Sequence, residues 1–299
     1  MIIFVTLLSW GVLQAWGTAA AVQCDSYFWS WCDWVETTLG ETLGELPSRI
    51  LILLGPVLLL ALLLHLFGGW FFGLLGLVIT VIAVLYACGR GNYRSDLLLY
   101  RDALSYSDDA GVCDAAQEYQ RKLGSAASDE VLDVDAAQAA VLRAAAYLGY
   151  QRWFAALFWF VLLGAPAAVF YRCCHLLAYS AEGRGGVHGD EQQQAAIALV
   201  GWLDWIPVRL WGFGYALIAD FGRVFDRLQS QMNGEHSAID VISSVQAAAL
   251  TSATSAETTA ADNGHSRSDE LAEVDALLSL AGRTTVVMLV AVAILVLVV

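Results

Sequence analysis

The apolar residues of this chain come in blocks rather than at a helical or strand period. Positions 50–67 and 70–88 hold no Asp, Glu, Lys or Arg and are separated only by Gly68 and Gly69. Each is near the length of about 20 residues that crosses the hydrocarbon core of a bilayer. Together they predict a tight transmembrane hairpin over 50–88. Positions 153–171 form a third uncharged block, and 284–299 a fourth of 16 residues, which spans with help from Ala281 and Gly282 or in a thin bilayer. The last transmembrane helix is therefore placed at 283–299. Residues 1–22 are apolar as well, with Thr18 and three alanines at the end, as in a secretory signal. The positive n-region of such a signal is missing, so a retained helix is expected, spanning or lying at the interface.

A fifth apolar run, 195–219, carries charge. Its decapeptide GWLDWIPVRL (201–210) holds Asp204, Pro207 and Arg209. An ionisable side chain at bilayer depth costs about 2.5 to 3.5 kcal/mol on insertion scales, so it needs a partner and marks a functional site by default. Pro207 has no N–H to offer the Leu203 carbonyl, which predicts a helix that kinks or breaks just past the aspartate. On an unbroken helix Asp204 and Arg209 would stand about 140° apart and could not meet. A break would let them pair. Alternatively Trp205 and Arg209, four residues apart, stack as a cation–π pair while Asp204 caps the helix after the break.

The polar segments divide the rest. Residues 25–45 are acidic and carry Tyr27, Phe28, Trp29, Trp31 and Trp34, which suits packing at a membrane interface. In 89–152, Leu97, Leu98, Tyr100 and Leu104, then Val131, Val134, Val141, Leu142 and Leu148, recur at interrupted helical spacing around a turn at 124–128. They predict a pair of amphipathic helices on the cytoplasmic side. Gly89-Arg90-Gly91-Asn92 opens that region; with no Gly-Lys-Ser/Thr after it, it reads as a helix stop followed by an Asn92 cap rather than a phosphate loop. Residues 153–232 hold the remaining membrane helices with the DWIPVR motif. Residues 233–270 are rich in Ser, Thr, Ala and Gly, lack aromatics, and predict a flexible linker.

Composition supports the membrane reading: hydrophobic residues make up 58% and charged residues 15% of the chain, against about 45–50% and about 25% in soluble domains. A formal charge of −14 with a single lysine, Lys122, excludes a basic nucleic-acid footprint and a polybasic anchor. Arg49, Arg90, Arg94, Arg101, Arg143 and Arg152 can all be cytoplasmic together. Arg223, Arg227 and Arg283 join them if 195–219 returns the chain to the cytoplasm, leaving 175–194 outside. Small residues at Gly73, Gly76, Gly164, Ala165, Gly212 and Gly214 allow close helix packing in lipid. The fold class is thus all-α: a polytopic membrane helical bundle with a cytoplasmic helical pair.

Candidate chemistry is sparse. Cys24 and Cys32 could pair, but stay reduced if their loop is cytoplasmic. Cys173-Cys174-His175 is the only Cys/His cluster, with no second pair at ligand spacing, so no metal and no cofactor is expected. His65, inside the hairpin, reads as a buried, hydrogen-bonded histidine ahead of a proton relay. No GxSxG elbow or HExxH helix occurs, and no catalytic residue is assigned.

The residues also carry a resemblance. RWFAALFWFVLLGAP at 152–166, the following Tyr171-Arg172, LDWIPVRL at 203–210, YALI at 215–218 and the Gly-Arg-Gly-Asn turn are similar to the AmpE family. That family consists of multi-pass bacterial inner-membrane proteins associated with regulation of β-lactamase induction, and hence with antibiotic resistance. The likeness covers the chain from about residue 50 to about residue 228. It implies a non-enzymatic signalling modulator whose ligand-binding or signalling core comprises Asp204, Trp205, Pro207, Arg209, Arg90, Arg152 and Tyr171. The bilayer is its expected partner, together with a cell-wall-derived or nucleotide ligand that the sequence does not name; nucleic acid is not.

A more distant likeness is to the CobD/CbiB membrane enzymes, which attach an aminopropanol arm to cobyric acid in cobalamin synthesis. Trp205, Ile206, Pro207 and Arg209 match their Trp-Ile-Pro-x-Arg motif, with Asp204 among the acids before it. That likeness implies an ATP-dependent amide-forming ligase, with Arg209 as anion clamp and Asp204 as metal ligand or base. Where those enzymes carry an Asn-Thr-Leu-Asp type segment, this chain has Cys173-Cys174-His175-Leu176-Leu177, without carboxylate or amide. A single carboxylate is a thin basis for Mg²⁺, so the regulator is favoured over the enzyme.

Overall fold

The computed structural model describes residues 2–16, 22–124, 133–179, 190–232, 236–254 and 267–298. In chain order its helices are α1 (Ile2–Trp16), α2 (Ser26–Leu43), α3 (Glu45–Phe67), α4 (Leu74–Ala87), α5 (Tyr93–Tyr106), α6 (Asp109–Arg121) and α7 (Val134–Gln151). They continue with α8 (Phe154–Leu163), α9 (Ala165–Tyr179), α10 (Asp190–Ile218), α11 (Phe221–Ser230), α12 (Ala238–Thr254) and α13 (Arg267–Val298). No strand occurs among the described residues, and the fold is the expected all-α membrane bundle. Leu46–Phe67, Glu191–Ile218 and Arg267–Ile294 are long and apolar enough to cross a membrane. The residues expected to complete the 124–128 turn, and 180–189 of the loop expected outside, lie beyond the described residues.

The helices form two compact units. The first holds Met1–Gly91, Arg152–Trp202 and Val296–Val299. In it α3 presents Ile50, Leu54, Leu58, Leu62 and Leu66 as an exposed stripe, every fourth residue, which is the face a helix turns to lipid. A single 3₁₀ turn at Trp70–Gly73 returns the chain into α4. That second arm has 14 residues and reaches only about 21 Å, short of the about 30 Å core. α9 packs on both arms, α2 packs on α3, and α1 packs on α4. The apolar block at 153–171 is two helices rather than one. Gly164, at φ 85°, takes a backbone conformation that side chains disfavour, and Pro166 opens α9 where its missing N–H costs nothing, so α8 and α9 fold back on each other. His65 is exposed near the end of α3, not buried and hydrogen-bonded as expected. Its place in the last helical turn puts it beside the free carbonyls there, where a polar ring is tolerated.

The second unit holds Asn92–Gln151 and Leu203–Leu295. Gly91 turns the chain at φ 77°, and the Asn92 side chain accepts from the Ser95 N–H, so the expected cap opens α5. The expected helical pair is a trio. Asp108 accepts from the Gly111 N–H at 3.0 Å and caps a new helix, α6, where hydrophobic spacing alone suggested continuation from α5. α12 stands inside the segment expected to be a linker. Ile239, Ile242, Val245, Gln246, Ala249 and Leu250 are buried on one face of it and pack on α7 and α11. The low aromatic content hid this stripe, because Ile, Val and Ala at helical spacing bury enough surface when the facing helix comes close. The last helix likewise begins at Arg267, well before the apolar block at 284. Its polar half is tied down by Arg101 to Asp275, Arg267 to Asp109 and Gln138 to the Glu270 carbonyl.

α10 runs through Pro207 without a break, so of the expected kink or break the break does not occur. A proline removes one backbone bond and crowds one carbonyl, and membrane helices accept this where neighbours pack the site. In the second unit α10 buries Asp204, Val208, Trp211 and Tyr215 on one face and leaves Trp205, Ile206, Leu210, Phe213 and Leu217 exposed on the other.

Candidate functional site

Continuity of α10 decides where the charges of the DWIPVR motif point. Asp204 falls on the inner face and is fully buried, with 0% exposure. Its carboxylate accepts two hydrogen bonds from α7: Tyr150 Oη donates to Oδ1 at 2.7 Å and Tyr147 Oη to Oδ2 at 3.0 Å. The two tyrosines are three residues apart, hence on one face of their helix, with ring centroids 5.9 Å apart. Each such buried bond contributes about 0.5–1.5 kcal/mol net, and both hydroxyls would be costly to bury alone.

The polar seam continues along α10. Trp211 stands edge-on to Tyr150 at 6.2 Å and to Tyr215 at 6.0 Å. Tyr215 Oη donates to Gln246 Oε1 at 3.2 Å, and Gln246 Nε2 donates to the Leu142 carbonyl at 3.0 Å. α7, α10 and α12 are thus joined by polar groups that mostly satisfy one another in an apolar surrounding. Such a network fixes one packing and is costly when partly broken.

Arg209 does not meet Asp204. Its guanidinium lies over the Trp205 ring, 4.1 Å from the centroid, and Nη1 donates to the Trp205 carbonyl at 2.8 Å. The cation–π alternative therefore describes Arg209, while Asp204 is held by tyrosines rather than capping a helix. Pro207 is buried beside Asp204 on the inner face.

Arg90, Arg152 and Tyr171 belong to the first unit, and Arg90 is part of a clasp there. Asp25, just before α2, accepts from Arg90 Nε at 3.0 Å and Nη2, and from Arg172 Nη2 at 3.0 Å. Arg90 Nη1 also donates to the Tyr86 and Cys88 carbonyls, and Gln23 Nε2 to the Leu85 carbonyl, so the end of α4 is capped by side chains from both sides. The Arg152 carbonyl accepts from the Gly89 N–H at 2.6 Å, tying the start of α8 to the same turn. Tyr171 is buried, its ring 6.2 Å from that of His175. All six cysteines are free. No group of three His, Cys, Asp or Glu side chains among the described residues is placed to hold a metal.

Burial raises the pKa of Asp25, but the Arg90 hydrogen bonds and the Arg172 charge outweigh it and hold the carboxyl below its ordinary value. A carboxyl whose folded pKa is lowered stabilises the fold above its unfolded pKa of about 3.9, and that stabilisation fades as pH falls through the folded value. Asp25→Asn is therefore expected to unfold below wild type at pH 7, with the gap closing as the solution is acidified below about pH 4. Thermal unfolding in detergent across that range measures it; a gap that stays constant through the acid limb would contradict the clasp.

Tyr147, Tyr150, Asp25, Arg172 and Gln246 were not among the expected site residues. The signals for them in sequence are the tyrosine pair at a spacing of three, on a helix otherwise rich in alanine, and the place of Arg172 after Tyr171 in the family-like block.

A family model described as Regulatory signalling modulator protein AmpE matches residues 28–298. No curated protein and no solved structure matches. The family match runs through both units, from α2 to the end of α13, and with its three candidate membrane spans the chain is a membrane protein that belongs to the AmpE family of regulatory signalling modulators.

Proposed function

We propose that this protein is a multi-pass inner-membrane modulator of the signal that induces β-lactamase, acting by a change of helix packing rather than by a reaction. The observation that carries the reading is the buried carboxylate of Asp204, held by two tyrosines of a neighbouring helix. Membership of the AmpE family supplies the regulatory class. A carboxylate enclosed in this way is poorly placed to reach a substrate and well placed to hold α10 against α7. A signal that competes for the tyrosine hydroxyls, or that moves α10, exchanges one satisfied packing for another, and a network of this kind has few intermediate arrangements.

The motif residues then divide the work. Asp204 holds the junction, Pro207 relieves α10 of one backbone bond beside it, and Trp205 with Arg209 presents an amphipathic pair on the outer face. Arg90, Arg152 and Tyr171 belong to the packing of the first unit.

Two measurements test the reading. In a bacterium with inducible β-lactamase whose own copy is deleted, wild-type protein is expected to restore the induction response, while Asp204→Asn at equal membrane abundance is expected to alter it. An unaltered response would contradict a signalling role for the junction. In detergent, Mg-ATP is expected to leave thermal unfolding unmoved; a saturable rise that is lost in Asp204→Ala would instead favour the amide-forming ligase.

A further inference from the structure

α11 has the residues and the position of a helix that lies on the membrane surface. Phe221, Val224, Phe225 and Leu228 follow at steps of three, one and three, so they share one face; Arg223, Asp226, Arg227 and Ser230 share the other. Val224 and Leu228 are buried and anchor the helix, Leu228 close against Gly212 of α10. The phenylalanines sit at the edge of that anchored face. Phe221 and Phe225 stack at 5.3 Å with 8° between their planes, and both stand edge-on to Phe213, at 6.1 Å and 6.4 Å. Phe213 belongs to the exposed apolar face of α10, with Ile206, Leu210 and Leu217. The aromatic cluster is therefore continuous with the surface that α10 turns to lipid.

The depth of the cluster is fixed by a second contact. Arg283 Nη2 donates to the Ile218 carbonyl at 2.6 Å. Ile218 ends α10, and Arg283 is the last charged residue before the apolar block of α13. One turn further in, Gly214 lies against Met288 and Thr284, so the two apolar segments run into the bilayer side by side from one level. α11 starts three residues past Ile218 and turns back, with Phe225 against Phe213 and Leu228 against Gly212, so its apolar face sits about 10 Å or less inward of that level, at the acyl boundary.

Charge completes the pattern. Arg223 and Arg227 are exposed and make no ion pair among the described residues, although the chain has 29 acidic residues. Arg101, Arg121, Arg143 and Arg267 of the same unit each hold a carboxylate. Two such guanidiniums on the polar face of an amphipathic helix, beside aromatic residues at the acyl boundary, complement the phosphates of an anionic leaflet.

We infer that α11 is an interfacial helix that docks on anionic phospholipid, with Phe213, Phe221 and Phe225 seated at the acyl boundary and Arg223 and Arg227 on headgroup phosphates. The inference goes beyond the regulatory reading and needs only that α10 and α13 enter the bilayer. It makes the arrangement of the second unit sensitive to the lipid composition of the leaflet that α11 faces.

The test is hydrogen exchange of the α11 amides in the full-length protein, reconstituted in nanodiscs of phosphatidylcholine alone or mixed with phosphatidylglycerol. Phosphatidylglycerol is expected to slow exchange in α11 severalfold. Arg223→Gln/Arg227→Gln should abolish that gain, while Arg223→Lys/Arg227→Lys should keep most of it. Equal protection of the wild type in the two lipids, or a gain that survives the glutamine pair, would overturn the inference. Soluble glycerol phosphate added to phosphatidylcholine nanodiscs separates the sources: the same gain there would mean a site for a free anion, not a lipid-docking helix.

Discussion

Asp204→Leu is expected to lower the unfolding free energy by about 3 kcal/mol, the largest single effect among the motif residues. The size follows from what is left behind. Leucine removes the Asp204 oxygens to which Tyr147 and Tyr150 donate, and a buried hydroxyl that loses an acceptor costs about 1–3 kcal/mol. Against this runs the gain from no longer burying a carboxylate, which in other proteins can make an apolar replacement neutral or better. The tyrosines decide the sign. Asp204→Asn keeps an oxygen for one hydroxyl and offers an N–H to the other, so about 1 kcal/mol is expected. Asp204→Leu combined with Tyr147→Phe and Tyr150→Phe removes donors and acceptor together and is expected to recover most of the loss. Thermal or denaturant unfolding in detergent gives all three values. A triple variant less stable than Asp204→Leu alone would show that the tyrosine hydroxyls do something other than serve Asp204.

Gly76→Val is expected to have the second largest effect, by opening the hairpin of α3 and α4. A Cβ at position 76 would lie 2.8 Å from the Gly68 carbonyl oxygen and 2.9 Å from its Cα. Both are backbone atoms of the turn that joins the two arms, so neither can rotate away. Overpacking of this kind typically costs about 1–3 kcal/mol and forces a backbone shift. Gly214→Ala makes the useful contrast. Its Cβ would meet the terminal methyl of Met288, and a flexible methionine end can swing aside. Unfolding temperatures of the two variants should therefore fall in the order Gly76→Val well below Gly214→Ala. The reverse order would mean that the turn at Gly68 is softer than its close packing implies.

The parts legible in sequence are those governed by local physics. Uncharged blocks mark the arms of the hairpin, the Asn92 cap is visible from its place after Gly91, and the four-residue spacing of Trp205 and Arg209 contains their stacking. The parts that are not legible depend on a partner or on degree. A proline in an apolar run predicts a kink or a break, yet α10 is not broken, because one lost backbone bond is small beside the packing of a helix of 29 residues. The run at 153–171 reads as one span, since hydropathy cannot see that Gly164 takes a positive φ. α12 escapes notice because its buried stripe is made of Ile, Val and Ala in a segment whose composition is polar on average. Asp204 stands out as unusual, but its partners lie 54 and 57 residues away on another helix, and nothing in the spacing of charges points to tyrosine. Arg209 is the nearest cation in sequence, and its neighbour Trp205 holds it on the opposite face.

The triple variant separates the packing role of the junction from its proposed role in signalling. With positions 147, 150 and 204 all made apolar, the helices can stay packed while the polar contact that distinguishes one arrangement from another is gone. The decisive measurement is β-lactamase induction in a deletion host carrying Asp204→Leu/Tyr147→Phe/Tyr150→Phe, with membrane abundance and detergent unfolding matched to wild type. A folded protein that no longer restores the wild-type response is the predicted result; full restoration by a chain without the carboxylate and both hydroxyls would contradict it.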